Sequence, residues 1–257
     1  MTDPFLTILF AALIGACLGS FANVAALRSL AGTDWVNQPS RCFNCDEKLT
    51  FMQNLPFIGF ARHGGKAACC GARLPRRYVL VELAMAFICA LAVAVLPLGV
   101  ALVFAPFIVL QMVLFLTDMD AFIIPDWTSV GGAGLGLFIN LFAVPGLPPM
   151  LMALAGGLAG FALIYVINAS YKLLRGHDGL GFGDVKLMMC FGVWLGPISL
   201  LPILFAASLA GALFGLAAMA YAKMQGRDMP VQLPFGCFLA PTALAWLFFA
   251  PETVPGF

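Results

Sequence analysis

The chain has 257 residues, 62% of them hydrophobic and 10% charged, with a formal net charge of +1 and a mean hydropathy of +1.01. Soluble domains carry about 25% charged residues, so a water-soluble fold is excluded. A bilayer suits this composition, because a helix of roughly 20 apolar residues satisfies its own backbone there. The charge balance gives no reason to expect a nucleic-acid partner, and none is expected.

Met1 to Phe21 is apolar and carries Asp3 as its charged side chain. A secretory signal needs a positive n-region, so the segment reads as the first membrane helix. Ile14-Gly15-Ala16-Cys17 is only loosely like a lipoprotein cleavage box, and no Lys or Arg precedes it. Apolar runs of spanning length then fall at about 5–27, 78–97, 99–117, 127–144, 150–171, 185–198, 199–222 and 236–251. The expected fold class is an all-α integral membrane protein with about eight transmembrane helices. Breakers sit at the joints: Pro97-Leu98-Gly99, the stretch Pro145 to Pro149, and Gly196-Pro197. One polar insertion interrupts the series. The expected domains are a first helix over 1–27, a cytoplasmic cysteine-rich insertion over 28–77, and a polytopic core over 78–257.

The basic residues orient these spans. Arg28, Arg41, Lys48, Arg62, Lys66, Arg73, Arg76 and Arg77 lie in or beside the insertion. Lys172, Arg175 and Lys186 flank the join of the fifth and sixth spans, and Lys223 and Arg227 follow the seventh. With eight spans all 13 fall on one side. The positive-inside rule makes that side cytoplasmic and puts both termini outside.

The same topology brings two distant acidic clusters to one face. Asp118, Asp120 and Asp126 lie where the third span ends, and Asp184 opens the sixth. Carboxylates at a bilayer boundary are costly unless paired or used, so function is the default reading. Capping of a helix N-terminus is the bland alternative. It suits Asp126, which follows Pro125 and precedes an apolar run. Asp118 ends a helix, where the macrodipole disfavours an anion. Two carboxylates within hydrogen-bonding reach share a proton, so one activates water while the other protonates an amide carbonyl. Such a dyad hydrolyses peptides without a metal. Gly181 and Gly183 before Asp184 are expected to let the backbone turn tightly and approach a substrate strand.

Taken in order, these blocks resemble the type IV prepilin peptidases, bacterial members of the G-x-G-D membrane aspartyl proteases. Gly19-Ser20-Phe21-Ala22-Asn23-Val24 is similar to G-S-F-x-N-V, and Cys42-Phe43-Asn44-Cys45 to the first C-x-x-C. Asn54-Leu55-Pro56 is similar to N-I-P, and Arg77 to Leu83 to R-Y-P-x-V-E-L. The segment Asp118 to Asp126 resembles D-x-D-x-x-x-I-P-D. Gly181-Phe182-Gly183-Asp184-Val185-Lys186-Leu187 and Gly192 to Gly196 resemble G-x-G-D-x-K-L and G-A-W-L-G.

The resemblance implies removal of the basic leader from prepilins and pseudopilins, after Gly and before Phe, in the bacterial inner membrane. It makes Asp118 and Asp184 the dyad, with Asp120, Asp126, Gly181, Gly183 and Lys186 as support or caps. It also implies two C-x-x-C pairs holding zinc and an S-adenosylmethionine-dependent methylation of the new N-terminal Phe. A reducing cytosol independently favours metal over disulfides for Cys42, Cys45, Cys69 and Cys70. This chain departs from the family pattern, with Ala67 in the third cysteine place. Cys69 or His63 remains open as the fourth ligand beside Cys42, Cys45 and Cys70. Neighbouring residues such as Cys69 and Cys70 are expected to point their side chains apart. Cys17, Cys89, Cys190 and Cys237 read as small packing residues within spans.

Residues 28–77 are too few for a doubly wound nucleotide-binding domain, so a methyl-donor pocket would have to include membrane helices. Asn23 and Glu82 are its candidates. Glu82 could instead pair with Arg76 or Arg77 and cap its helix. Three competing readings stand beside this one: a peptidase without methyltransferase activity, a proton- or cation-coupled transporter, and an assembly component that has lost catalysis.

Overall fold

The computed structural model describes residues 3–34, 39–42, 44–142, 144–177, 179–226 and 233–250. Phe43 of the first cysteine motif and Arg227 of the basic set lie outside the described residues. Ten α-helices are described: α1 (Pro4–Ala31), α2 (Phe51–Asn54), α3 (Ile58–Arg62), α4 (Arg77–Val95), α5 (Leu98–Ala121), α6 (Asp126–Asn140), α7 (Met150–Arg175), α8 (Phe182–Leu195), α9 (Leu200–Met224) and α10 (Gly236–Phe249). Each expected span coincides with one of the eight longer helices, and α2 and α3 fall in the insertion. The chain is an all-α membrane protein. α1, α4, α5, α7 and the continuous segment Pro197–Met224 are long and apolar enough to cross a membrane, and α10 is a shorter apolar helix. Large apolar side chains face outward along them, as with Phe87, Leu158 and Phe205, which suits a hydrocarbon surround and no aqueous one.

The chain divides into two compact units, Met1–Val113 and Leu114–Phe257. In the first, α1 packs along α4, and the insertion between them folds into two short helices and two isolated antiparallel bridges, Arg41 with Lys48 and Lys66 with Arg73.

In the second, α8 is the centre. Val185, Leu187, Met188, Cys190, Phe191, Trp194 and Leu195 are all fully buried, between α7 on one side and α6 on the other. The α7–α8 contact is backbone against backbone. A Cβ at Gly160 would overlap the Met188 carbonyl, and one at Gly192 would overlap the carbonyl of Gly156. Without a hydrophobic drive between helices in lipid, such small-residue contact is what holds them. On the α6 side the Trp194 indole N–H donates to the Gly132 carbonyl at 2.9 Å, a partner that a buried indole needs. The helix that begins with Asp184 is therefore fixed on both flanks.

Candidate active site

Asp118 lies in the last turn of α5 and Asp184 in the first turn of α8. Both are buried, at 4% and 6% exposure, and both belong to the second unit. The end of α5 is closed by Phe122, whose N–H donates to the Asp118 carbonyl at 2.9 Å and whose φ is 57°. A left-handed residue at that point is costly for a Phe, and it turns the chain sharply toward α6.

The supporting residues divide. Asp126 is the first residue of α6, the stabilising place for an acid at a helix N-terminus, and its carboxylate pairs with Lys186 of α8. Lys186 also lies over the Phe182 ring, 5.4 Å from its centroid. This pair ties together the two helix starts. Asp120 is exposed. The glycines act differently from the expected tight turn: Gly181 has φ −68° and ψ 146°, a conformation open to any residue. Gly183 matters for contact instead, since a Cβ there would lie 2.9 Å from the Cβ of Ile124.

Sequence reasoning missed the third wall of this site. The Cys237 backbone N–H, at the start of α10, donates to Asp118 Oδ2 at 2.9 Å, and the Cys237 thiol reaches the Phe115 carbonyl at 3.4 Å. Cys237 is thus more than a packing residue. The available signal was Pro234-Phe235-Gly236, a breaker directly before the last apolar run.

In the first unit the four loop cysteines converge. The sulfurs of Cys42, Cys45, Cys69 and Cys70 all lie within 4.8 Å of one another, with Cys45 and Cys69 at 3.3 Å and Cys42 and Cys70 at 3.8 Å. His63 is not part of the group.

Two matching turns build this cluster. Cys42 N–H donates to the Glu47 carbonyl and Asp46 N–H to that of Cys42; in the second turn Ala67 N–H donates to Ala72 and Gly71 N–H to Ala67. Asp46 and Gly71 occupy equivalent left-handed positions, with φ of 58° and 70°. Position for position, Cys45 matches Cys70, Ala67 stands where Cys42 stands, and Cys69 takes the place of Asn44. The neighbouring side chains of Cys69 and Cys70 do not point apart, because both lie in this turn ahead of Gly71, where the chain is not extended. The Asn44 backbone N–H holds the Cys42 thiol down at about 7, which favours the thiolate a metal needs. The hydrogen bond with Cys45 pushes the Cys69 thiol up to about 12.

Beside the cluster, still within the first unit, lies a cavity of about 230 Å³ whose walls include Ser20, Arg28, Cys42, Phe57, Tyr78 and Glu82. Glu82 is in the second turn of α4, not at its cap, and it accepts the Phe57 N–H at 3.0 Å. Phe57 is itself left-handed, with φ 58°, so the carboxylate holds a strained backbone in place. Asn23 is fully buried, and its Oδ1 accepts from Arg77 Nε at 3.3 Å.

Residues 13–96 match the bacterial peptidase A24 N-terminal domain, and residues 102–216 match the type IV leader peptidase family. The chain is 34% identical over 201 residues to the prepilin leader peptidase/N-methyltransferase of Klebsiella pneumoniae, covering 75% of this chain and 87% of that protein. The chain belongs to the type IV leader peptidase family. A Burkholderia pseudomallei (strain 1026b) protein of the same name is 33% identical over 211 residues, covering 82% of this chain and 67% of that protein. One from Pseudomonas putida is 28% identical over 262 residues, covering 93% and 89%. No solved structure matches the chain. As a leader peptidase the chain is a membrane protease, and the transporter reading falls away.

Proposed function

We propose that this protease removes the basic leader of type IV prepilins or pseudopilins, after Gly and before Phe, using Asp118 and Asp184 as its catalytic pair. The observation that carries the reading is the burial of two carboxylates from different helices of one unit, one at the end of α5 and one at the start of α8. Two such groups hold one proton between them. The ionised carboxylate takes a proton from water as it attacks the scissile carbonyl, and the protonated one donates to the carbonyl oxygen. Collapse of the tetrahedral intermediate transfers a proton to the departing amine and frees the new N-terminus.

The 13 basic residues, all on one side when eight spans are counted, support an active site facing the cytoplasm, with both termini outside the inner membrane. A cytoplasmic leader would then arrive at the aspartates. Asp126 and Lys186 position the starts of α6 and α8, and the domain roles divide between a cysteine-containing insertion over 28–77 and a peptidase core over 78–257.

The four cysteines fit a structural zinc ion. A tetrahedral thiolate site with zinc–sulfur bonds of about 2.3 Å places its sulfurs about 3.8 Å apart; here all four lie within 4.8 Å of one another, with two pairs at 3.3 and 3.8 Å. Zinc supplies a cross-link between the two turns, while peptide hydrolysis proceeds without it.

The names of the relatives, prepilin leader peptidase/N-methyltransferases, support a second activity, N-methylation of the new N-terminal Phe. S-adenosylmethionine supplies the methyl group when bound. The cavity against Glu82, framed by α1, α4 and the cysteine turns, is a place in the first unit suited to holding it, with Asn23 buried behind its wall. The amine must be deprotonated to accept the methyl group, and the buried Glu82 carboxylate is the acceptor at hand. A peptidase lacking this activity is the alternative.

The test is cleavage of a prepilin-like peptide by purified protein in detergent. Asp118→Asn and Asp184→Asn, each folded, are expected to abolish it; near-wild-type cleavage by either variant overturns the assignment. Stoichiometric zinc after purification without chelators is expected, and its lack removes the metal. Transfer of label from S-adenosylmethionine to a peptide that already begins with Phe decides between the bifunctional enzyme and the plain peptidase.

A further inference from the structure

We propose that Gly236 is a positioning residue for the Asp118 carboxyl: it lacks a side chain so that the N-terminus of α10 can press directly on that group and hold it. The inference rests on the reading of Asp118 as catalytic.

The local sequence Leu233-Pro234-Phe235-Gly236-Cys237 ends a connection and starts α10 at Gly236. The first N–H groups of any helix lack intrahelical partners and carry partial positive charge. Here one of them, from Cys237, donates at 3.3 Å to the Pro234 carbonyl and, at the shorter distance of 2.9 Å, to Asp118 Oδ2. That hydrogen bond requires the α10 backbone to lie flat against the carboxyl. A Cβ on Gly236 would stand 2.9 Å from Oδ2, 3.1 Å from Cγ and 3.4 Å from Cβ of Asp118. Oδ2 would have to shift, Cγ would be tight against the added methyl group, and Cβ would be in ordinary contact with it.

The other partners cannot withdraw. Leu239, Ala240 and Ala243 of α10 are buried to 1% exposure or less, and the Cys237 thiol anchors the helix start to the Phe115 carbonyl. The Asp118 backbone is pinned by the Phe122 N–H on its carbonyl. What remains free to move is the carboxyl end of Asp118. An added methyl would therefore rotate that carboxyl away from the Cys237 N–H and out of alignment with Asp184. The fold would survive and the reacting group would be misplaced. A displacement of about 1 Å at a catalytic group costs on the order of a hundredfold in rate.

The experiment uses the full chain in detergent with a prepilin-like peptide and compares Gly236→Ala with Gly211→Ala. Gly211 on α9 faces the Phe238 ring of α10 at an ordinary 3.5 Å, so its variant controls for packing against the same helix. Gly236→Ala is expected to lower kcat roughly tenfold to hundredfold, since a hydrogen bond to a charged group carries about that much, with KM within about twofold. Gly211→Ala is expected to stay within about twofold in both. A kcat within about threefold of the wild type, or a KM that rises as far as kcat falls, overturns the proposal.

Thermal unfolding gives a second readout. If the methyl group meets the Asp118 carboxyl, the loss of Tm caused by Gly236→Ala shrinks in an Asp118→Ala background. An unchanged loss overturns the proposal even where Gly236→Ala proves too unstable to assay. Rescue of folding by Asp118→Ala supports it. This coupling is independent of whether Asp118 is catalytic, so cleavage retained by Asp118→Asn would sink that reading and leave the contact to be judged by its own measurement.

Discussion

In the second unit Asp118 stands at the end of α5 and Asp184 at the start of α8, whose backbone touches that of α7 through Gly156, Gly160 and Gly192. In the first, the cysteines stand on two turns held by a few hydrogen bonds between main-chain groups. The supports differ in what they tolerate. A helix end fixes both the position and the direction of its side chain, so a carboxylate cannot be moved to the next residue without turning about 100° around the axis. A turn offers several nearby positions aimed at one point. Cys69 in the place of Asn44, with Ala67 in the place of Cys42, is what that latitude permits.

This contrast can be broken most severely at the aspartates. Asp118→Asn and Asp184→Asn are each expected to lower cleavage by about a thousandfold or more, within the range of acid–base catalysis, and to spare methylation of a peptide that already begins with Phe. Loss of both activities in a folded variant would mean that the two units do not work separately. At the cysteines, Cys69→Ala is expected to weaken zinc binding by roughly a hundredfold, at least what disturbance of an outer hydrogen bond costs, and Ala67→Cys in the same chain to restore it. Competition with a chromogenic chelator reads this out. Failure of the double variant would show that the two turns are not equivalent.

At the helix contact, Gly160→Ala is expected to cost about 1–3 kcal/mol, seen as a lowered Tm with cleavage falling alongside. Unchanged stability would show that the α7–α8 seam is loose. The smallest effect concerns acidity. A thiol must lose its proton to bind metal, and the Cys42 thiol is held at about 7. Zinc affinity is therefore expected to fall by up to about tenfold per pH unit below about pH 7 through this group alone. An affinity flat between pH 7.5 and about 6 would contradict the role of the Asn44 N–H.

The helices were legible because apolar runs select helices in a membrane protein: each expected span lies on a helix, and five of the described helical segments are long and apolar enough to cross. The positions of Asp118 and Asp184 at helix ends were legible for the same reason. Gly236 and Cys237 were not, because their relation to Asp118 exists only after α10 has packed against the end of α5. No local pattern around residue 236 encodes a partner so far back in the chain. The Glu82 contact with Phe57 was hidden likewise: a positive φ at a Phe cannot be read from sequence. The convergence of Cys69 and Cys70 was misread because side-chain divergence is the rule for extended neighbours, and this segment is a turn.

α8 has 14 residues and so rises about 21 Å, whereas the hydrocarbon layer of a bilayer is about 30 Å thick. Its far end runs through Gly196 straight into the segment Pro197–Met224. α8 is enclosed by α6 and α7, so the shortfall of about 9 Å against the layer is made up by protein and not by lipid. A short helix set among longer ones leaves a recess at its end, and ionisable groups inside a bundle face such water-holding recesses. Helix length is thus one means of delivering a hydrolytic water to a buried carboxylate.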